Sequence, residues 1–244
     1  MAGMAENNRQ KTGMPDTSGP RVIVACRVVE NELEALRQKG SDADIEIRYL
    51  DQNLHRSPEK MPGLIQEQID EASEYAGLIV LGYGLCSNGV VGVTARKQRV
   101  YIPRVHDCIA LLLGSRQAYF AAFRQRAGTY YLTPGWVAEE KDPLGMMENE
   151  YTPKMGRQTA EWGIKEELKH YTHIVLIDTG TGDIEKLRKR AMANAEFLGK
   201  AYEEVKGSAA YFEKILFGPY DPVDFVCLEP GQKAGQKPFM KQPE

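Results

Sequence analysis

Short, almost wholly apolar runs alternate with longer amphipathic stretches along this chain, and that alternation constrains its fold more than any other feature. Val22-Ile23-Val24-Ala25, Leu78-Ile79-Val80-Leu81 and Val100-Tyr101-Ile102 are strand-length and continuously apolar. Strands covered on both faces read this way. Between such runs lie helical patterns. The stretch after Ser57-Pro58 puts Leu64, Ile65, Ile69 and Ala72 on one stripe, with Pro58 expected in the first turn, where its missing N–H costs nothing. Strand–helix alternation builds βαβ units around a largely parallel sheet. Strands are expected near 21–26, 44–50, 77–83, 99–104, 129–133, 172–178 and 223–228. Helices are expected near 30–39, 59–75, 88–97, 115–126, 157–170 and 182–205.

The fold expectation is therefore α/β: a mostly parallel, Rossmann-like layered sheet with flanking helices. At 244 residues the chain can bury an ample core. Residues 1–20, polar and with Asn7, Asn8, Gln10, Ser18, Gly19 and Pro20 among them, read as a disordered leader, and 231–244 as a flexible tail. A single α/β domain is expected over 21–230. The stretch 135–156 has two prolines and little periodicity. It reads as a long, functional excursion and as the boundary if the domain has two pseudo-similar lobes.

A net charge of −3 and a pI near 5.9 give no electrostatic case for nucleic acid or an anionic membrane as partner. No apolar run approaches the roughly 20 residues needed to span a bilayer. The N-terminal stretch lacks the apolar centre of an export signal, so a reducing cytoplasm is the expected compartment. No disulfide framework is expected there. The four cysteines form no CxxC pair, which excludes zinc-ribbon and thioredoxin patterns.

Cys26, Cys86 and Cys108 each sit at or just past the end of an expected strand. In an open α/β sheet, chemistry collects outside the carboxyl ends of the strands. Cys26 reads either as a thiol near helix N–H groups or as a buried strand end. Cys86 lies in Gly82-Tyr83-Gly84-Leu85-Cys86-Ser87-Asn88-Gly89, where glycines permit close approach of backbone to a ligand. Gly84 and Asn88 are the cofactor-side candidates in that loop. Neither the GxGxxG spacing nor a P-loop lysine is present. His106-Asp107-Cys108 sets a nitrogen, a carboxylate and a thiol in sequence, with Asp107 also placed to cap a helix. His55 emerges at the same expected sheet edge as Cys26 and Cys86. Cys227, inside Phe225-Val226-Cys227-Leu228, reads as core, and His170 and His173, at the opposite edge, as structural. No GxSxG, HExxH, EF-hand or corrinoid-binding DxHxxG pattern occurs.

These pieces resemble the family known as domain of unknown function 1638. The resemblance rests on Ile23-Val24-Ala25-Cys26, Leu54-His55-Arg56-Ser57-Pro58-Glu59, the glycine loop around Cys86, Ile102 to Cys108 with Gly114 beyond, and Gly128 to Thr133. It covers much of 21–135, the C-terminal half matching more loosely. The family pattern implies a site of Cys26, His55, Cys86 and Cys108. Some relatives carry a histidine directly before the last cysteine, where this chain has Asp107, so His106 is left out of the set. Similar proteins occur in anaerobes and methanogens near corrinoid methyltransferase systems, which implies methyl-transfer or one-carbon chemistry.

The leading expectation is a metalloprotein holding zinc or an iron–sulfur cluster through Cys26, Cys86 and Cys108 with His55 as fourth ligand, acting on a small-molecule substrate. Three thiolates and an imidazole suit both groups. Tyr83, Asn88, Arg104 and Asp107 are the substrate-side candidates, and Cys86 and Asp107 the catalytic ones. Two other readings stand beside it. One is a metal-free transferase with Cys86 as nucleophile, paired with His55 or His106. The other is a non-catalytic accessory that docks on a methyltransferase-system protein.

Overall fold

The computed structural model describes residues 19–40 and 44–240; the expected leader therefore lies almost wholly outside the described residues. Strands β1 (Arg21–Cys26), β2 (Ile45–Leu50), β3 (Leu78–Gly82), β4 (Val100–Pro103) and β8 (Phe225–Leu228) form one sheet in the order β2-β1-β3-β4-β8. The first four run parallel, and β8 pairs antiparallel with β4. Strands β5 (Thr129–Leu132), β6 (His173–Asp178) and β7 (Ala201–Lys206) form a second, wholly parallel sheet in chain order.

Placement explains composition. Val22 to Ala25 and Ile79 to Leu81 are fully buried because β1 and β3 are interior strands with covered faces. Strand β2 lies at the edge and alternates instead. Its Arg48 pairs with Glu46 and with Glu71, beside Ile45, Ile47 and Tyr49, which pack against the core. A second apolar cluster holds the second sheet together, centred on Leu132, Ile174 and Leu176.

The helices are α1 (Glu30–Arg37), α2 (Met61–Ala72), α3 (Cys108–Leu112), α4 (Arg116–Gln125), α5 (Pro134–Ala138), α6 (Pro143–Met146), α7 (Thr152–Met155), α8 (Arg157–Glu167), α9 (Ile184–Leu198), α10 (Ala210–Phe217) and α11 (Lys237–Met240). In α2 it is Pro62, not Pro58, that occupies the first turn. The stretch 135–156 is not a bare loop: it holds α5 to α7 and a π-helical turn, Met147–Tyr151, with Pro143, Gly145, Met146 and Met147 buried.

Three expectations are corrected. The helix expected over 182–205 ends at Leu198, because Gly199 adopts φ 64° and stops it; the chain then runs on as β7. No helix forms over 88–97. Asn88 and Gly92 have positive φ, and the β-branched Val90, Val91, Val93 and Thr94 lead into a bridge from Thr94 to Lys233. The tail is bound rather than loose from 231 to 240. Gly231 N donates to Ala95 O, Ala234 N to Val93 O, and Phe239 is 1 % exposed.

The two sheets meet closely. The carbonyl carbon and oxygen of Val28 lie where a Cβ on Gly135 would stand, at 2.7 and 2.0 Å, so only glycine lets α5 rest on the turn after β1. Across the same junction, Thr179 and Thr181 both donate to Glu32 Oε1, at 2.7 and 3.0 Å. No described helix is long and apolar enough to cross a membrane.

A thiol cluster beneath an aromatic cleft

Four neighbouring parallel strands each deliver one residue to the same edge of the first sheet. In spatial order, β2 leads to His55 in the turn Gln52–Arg56, β1 ends on Cys26, β3 leads to Cys86, and β4 leads to Cys108 at the start of α3. All four residues emerge at that one edge. The three thiols are 2, 5 and 8 % exposed, and Cys26 Sγ lies 3.5 Å from His55 Nε2.

The electrostatics follow from burial. Desolvation pushes the Cys26 thiol up to about 11. It raises Cys86 further, with the charges of Asp107 and Cys26 adding to it. Cys108 is raised by burial first and then by Asp107, Cys86 and Cys26. The charge of Cys26 thus reaches both other thiols, and that of Cys86 reaches Cys108. Burial lowers His55. Without a cation the cluster rests as neutral thiols beside a neutral imidazole, and a bound metal ion would reverse that preference.

The glycine loop shows why those residue types stand there. An added Cβ on Gly84 would meet Val105 O at 2.8 Å and Asp107 N at 3.0 Å. Gly84 therefore serves the approach of the two cysteine-bearing loops. They are laced by Leu85 N to Val105 O and Cys86 N to His106 O, both 2.9 Å. Beyond this seam Cys86, Ser87 and Asn88 have φ of 45°, 56° and 69°. Left-handed backbone costs a non-glycine residue roughly 1–2 kcal/mol, and such strain concentrates at functional sites. Ser87 and Asn88 are exposed at the mouth of the cleft.

Asp107 caps α3 by accepting from Ile109 N at 2.9 Å, and it takes the Tyr119 hydroxyl at 3.4 Å. Burial raises its carboxyl above the ordinary range. His106 stacks on Tyr119 with ring centroids 6.5 Å apart. Tyr83 is buried beneath the thiols, raised first by desolvation and then by the charge of Cys26 and Cys86. Arg104 is not brought to the site: it points toward β8, donating to Phe225 O at 3.3 Å. Cys227 is a correction. It is exposed on the edge strand, directed at Glu229 and outside the core. His173, at the start of β6, is held by Thr172 and lies 3.8 Å from Glu203, and His170 is exposed.

Over the cluster opens a cleft of about 610 Å³, whose floor includes His55, Cys86, Asp107 and Cys108. Its walls were not foreseen. Tyr119 and Phe123 come from α4, Tyr130 and Tyr131 from β5, Trp136 from α5, and Tyr171 from the turn before β6; Gln236 and Met240 of the C-terminal segment complete the rim. The tyrosine pair at 130–131 was the sequence signal available. The size falls in the range of small-molecule sites.

The donor types suit a soft metal. With metal–sulfur and metal–nitrogen bonds of about 2.3 and 2.0 Å, two ligands on one tetrahedral ion stand about 3.5 Å apart, which is the Cys26–His55 separation. Among the described residues, however, no three His, Cys, Asp or Glu side chains are already gathered tightly enough to hold an ion. The site is a preset pair with two further thiols within electrostatic reach.

Fold and site together define an α/β protein with a buried Cys/His cluster under a ligand-sized cleft. The chain belongs to the family described as protein of unknown function, DUF1638, whose profile matches residues 49–216. The match takes in His55, Cys86 and Cys108 and begins after Cys26. No curated protein and no solved structure matches the chain.

Proposed function

We propose that this chain is a soft-metal protein, holding zinc or an iron–sulfur cluster through Cys26, His55, Cys86 and Cys108, and that the cleft above admits a small-molecule substrate for methyl-transfer or one-carbon chemistry. The observation that carries the reading is the 3.5 Å separation of Cys26 Sγ and His55 Nε2, with one further thiol supplied by each of the next two strands. Were the His55 position exchangeable, a metal held by the three thiolates would supply Lewis acidity there for activating a thiol or water. Around it the protein's own groups orient and exclude. The aromatic walls give the cleft an apolar face, Tyr119 and the Ile109 N–H fix Asp107, and the carboxyl of Asp107 can hold a proton at the cleft floor. A metal-free nucleophile at Cys86 is less favoured, because burial and neighbouring negative charge both oppose the thiolate.

The test is elemental analysis and a visible spectrum of anaerobically purified protein. Stoichiometric zinc in colourless protein, or iron with broad visible absorption, is expected, with Cys86→Ser lowering metal content sharply. Protein that takes up neither group on reconstitution refutes the reading. Fast alkylation of Cys86 in that metal-free protein then points to the cysteine transferase, and slow alkylation with a co-purifying partner to the accessory role.

A further inference from the structure

The walls of the cleft say what kind of molecule it takes. Five electron-rich rings line it: Tyr119, Tyr130, Tyr131, Trp136 and Tyr171. They come from both sides, since Tyr119 belongs to α4 and the others to β5, α5 and the approach to β6. Three of them are fixed by ring contacts: Tyr130 stands edge-on to Tyr171 at 5.3 Å, and Tyr119 stacks on Phe123 at 6.5 Å. Every one of these five is at least partly exposed, so they have faces to offer a ligand.

The charges complement the rings. Among the described residues, the one guanidinium on the lining, Arg126, is committed to an ion pair with Glu203 of β7. Among those residues no lysine lines the cleft, and the one carboxyl is Asp107. An anionic ligand would find no unengaged permanent cation among them. A neutral apolar ligand would be served as well by aliphatic walls, which do not offer the negative ring faces that tyrosine and tryptophan present. A cation seated over such faces is attracted by their quadrupoles, and quaternary ammonium groups are recognised in this way.

We infer that the cleft binds a small organic cation, an alkylated ammonium group seated among Tyr119, Tyr130, Tyr131, Trp136 and Tyr171. The inference rests on the cleft named in the proposed function as the substrate site, but not on the metal beneath it. The group must be carried on an apolar or weakly polar body, because about 610 Å³ far exceeds what a bare methylated ammonium fills. Phe123, half exposed on the same wall, extends the apolar surface for that body.

The test compares choline with 3,3-dimethylbutan-1-ol, its neutral isostere in which carbon replaces the quaternary nitrogen. Binding is measured by titration calorimetry on the full chain, as purified and after chelation. Choline is expected to bind about tenfold or more tightly than the isostere, the factor that cation–ring attraction supplies in a partly desolvated site. Tyr131→Leu should remove most of that preference while Tyr131→Phe keeps it. Trp136→Leu, on α5, repeats the test should Tyr131→Leu fail to fold. Equal affinity for the two probes, no binding of choline, or tighter binding of acetate overturns the inference. Failure of the metal reading looks different: chelated or naturally metal-free protein still prefers choline. Failure of the present one leaves a metal-bearing protein indifferent to the probe's charge.

Discussion

Gly84→Ala offers the sharpest test of how the thiol cluster is assembled. Gly84 does not have positive φ, so alanine meets no backbone conformational barrier and the cost is steric. The new Cβ would stand 2.8 Å from both Val105 Cγ2 and Val105 O, where ordinary contact begins at 3.4 Å. The loop after β4 must retreat by about 0.6 Å, the difference between those two values. Such a shift stretches Leu85 N–Val105 O and Cys86 N–His106 O from 2.9 Å toward the limit of a useful hydrogen bond. Overpacking costs about 1–3 kcal/mol, and two weakened backbone bonds about 1 kcal/mol each. The stiffer unfolded chain returns about 0.4–1 kcal/mol. The net loss is about 2–5 kcal/mol, which for a chain of this size lowers Tm by roughly 5–20 °C. Thermal melts followed by circular dichroism measure the loss, and the rate of Cys86 and Cys108 reaction with a disulfide reagent should rise with it. A variant within about 0.5 kcal/mol of wild type, its thiols no more reactive, would show that the two loops are not held by this seam.

Glu32→Gln should change the pH dependence of stability. Burial raises the Glu32 carboxyl above its ordinary 4.5, so its stabilising contribution is full below that value and is lost as pH rises through the folded one. Urea midpoints of wild type and variant should therefore diverge above pH 4.5 in the variant's favour; parallel profiles would refute the assignment. Ser87→Gly relieves one left-handed residue (φ 56°) and should stabilise by about 0.5–1 kcal/mol, read as a higher urea midpoint; a lower one would mean the Ser87 side chain holds the loop. Cys227→Ala alters an exposed edge position and should leave metal content unchanged and stability within about 0.5 kcal/mol; loss of metal would mean that the fourth ligand is misassigned.

The thiol edge was legible because interior parallel strands are continuously apolar, and such a run marks its own end. Val24-Ala25-Cys26 and Leu81-Gly82 need no tertiary information to be read as strand ends. Cys227 was misread for the complementary reason. Its neighbours Val226 and Leu228 are buried, but β8 is an antiparallel edge strand whose side chains alternate in direction, so apolar neighbours in sequence face the other way. Beyond the tyrosine pair at 130–131, the cleft walls leave no readable signal in the sequence. Tyr130, Trp136 and Tyr171 belong to elements of the second sheet, and their meeting with His55 and Cys86 depends on how two separate cores are pressed together. That contact turns on details such as the missing Cβ of Gly135, which no periodicity reports. The end of α9 was readable in principle, since Gly199 is a stop signal followed by the alternating Ala201 to Lys206.

Strand β8 joins β4 only after the chain has left the first sheet and made all of the second. During synthesis, which proceeds from the N-terminus, β4 must wait with its outer edge unpaired until that late segment emerges. A bare edge of this kind invites pairing with a neighbouring chain. The interval between these two strands is thus the stage at which a growing copy is most exposed to mispairing, and shortening the wait by circular permutation would protect it.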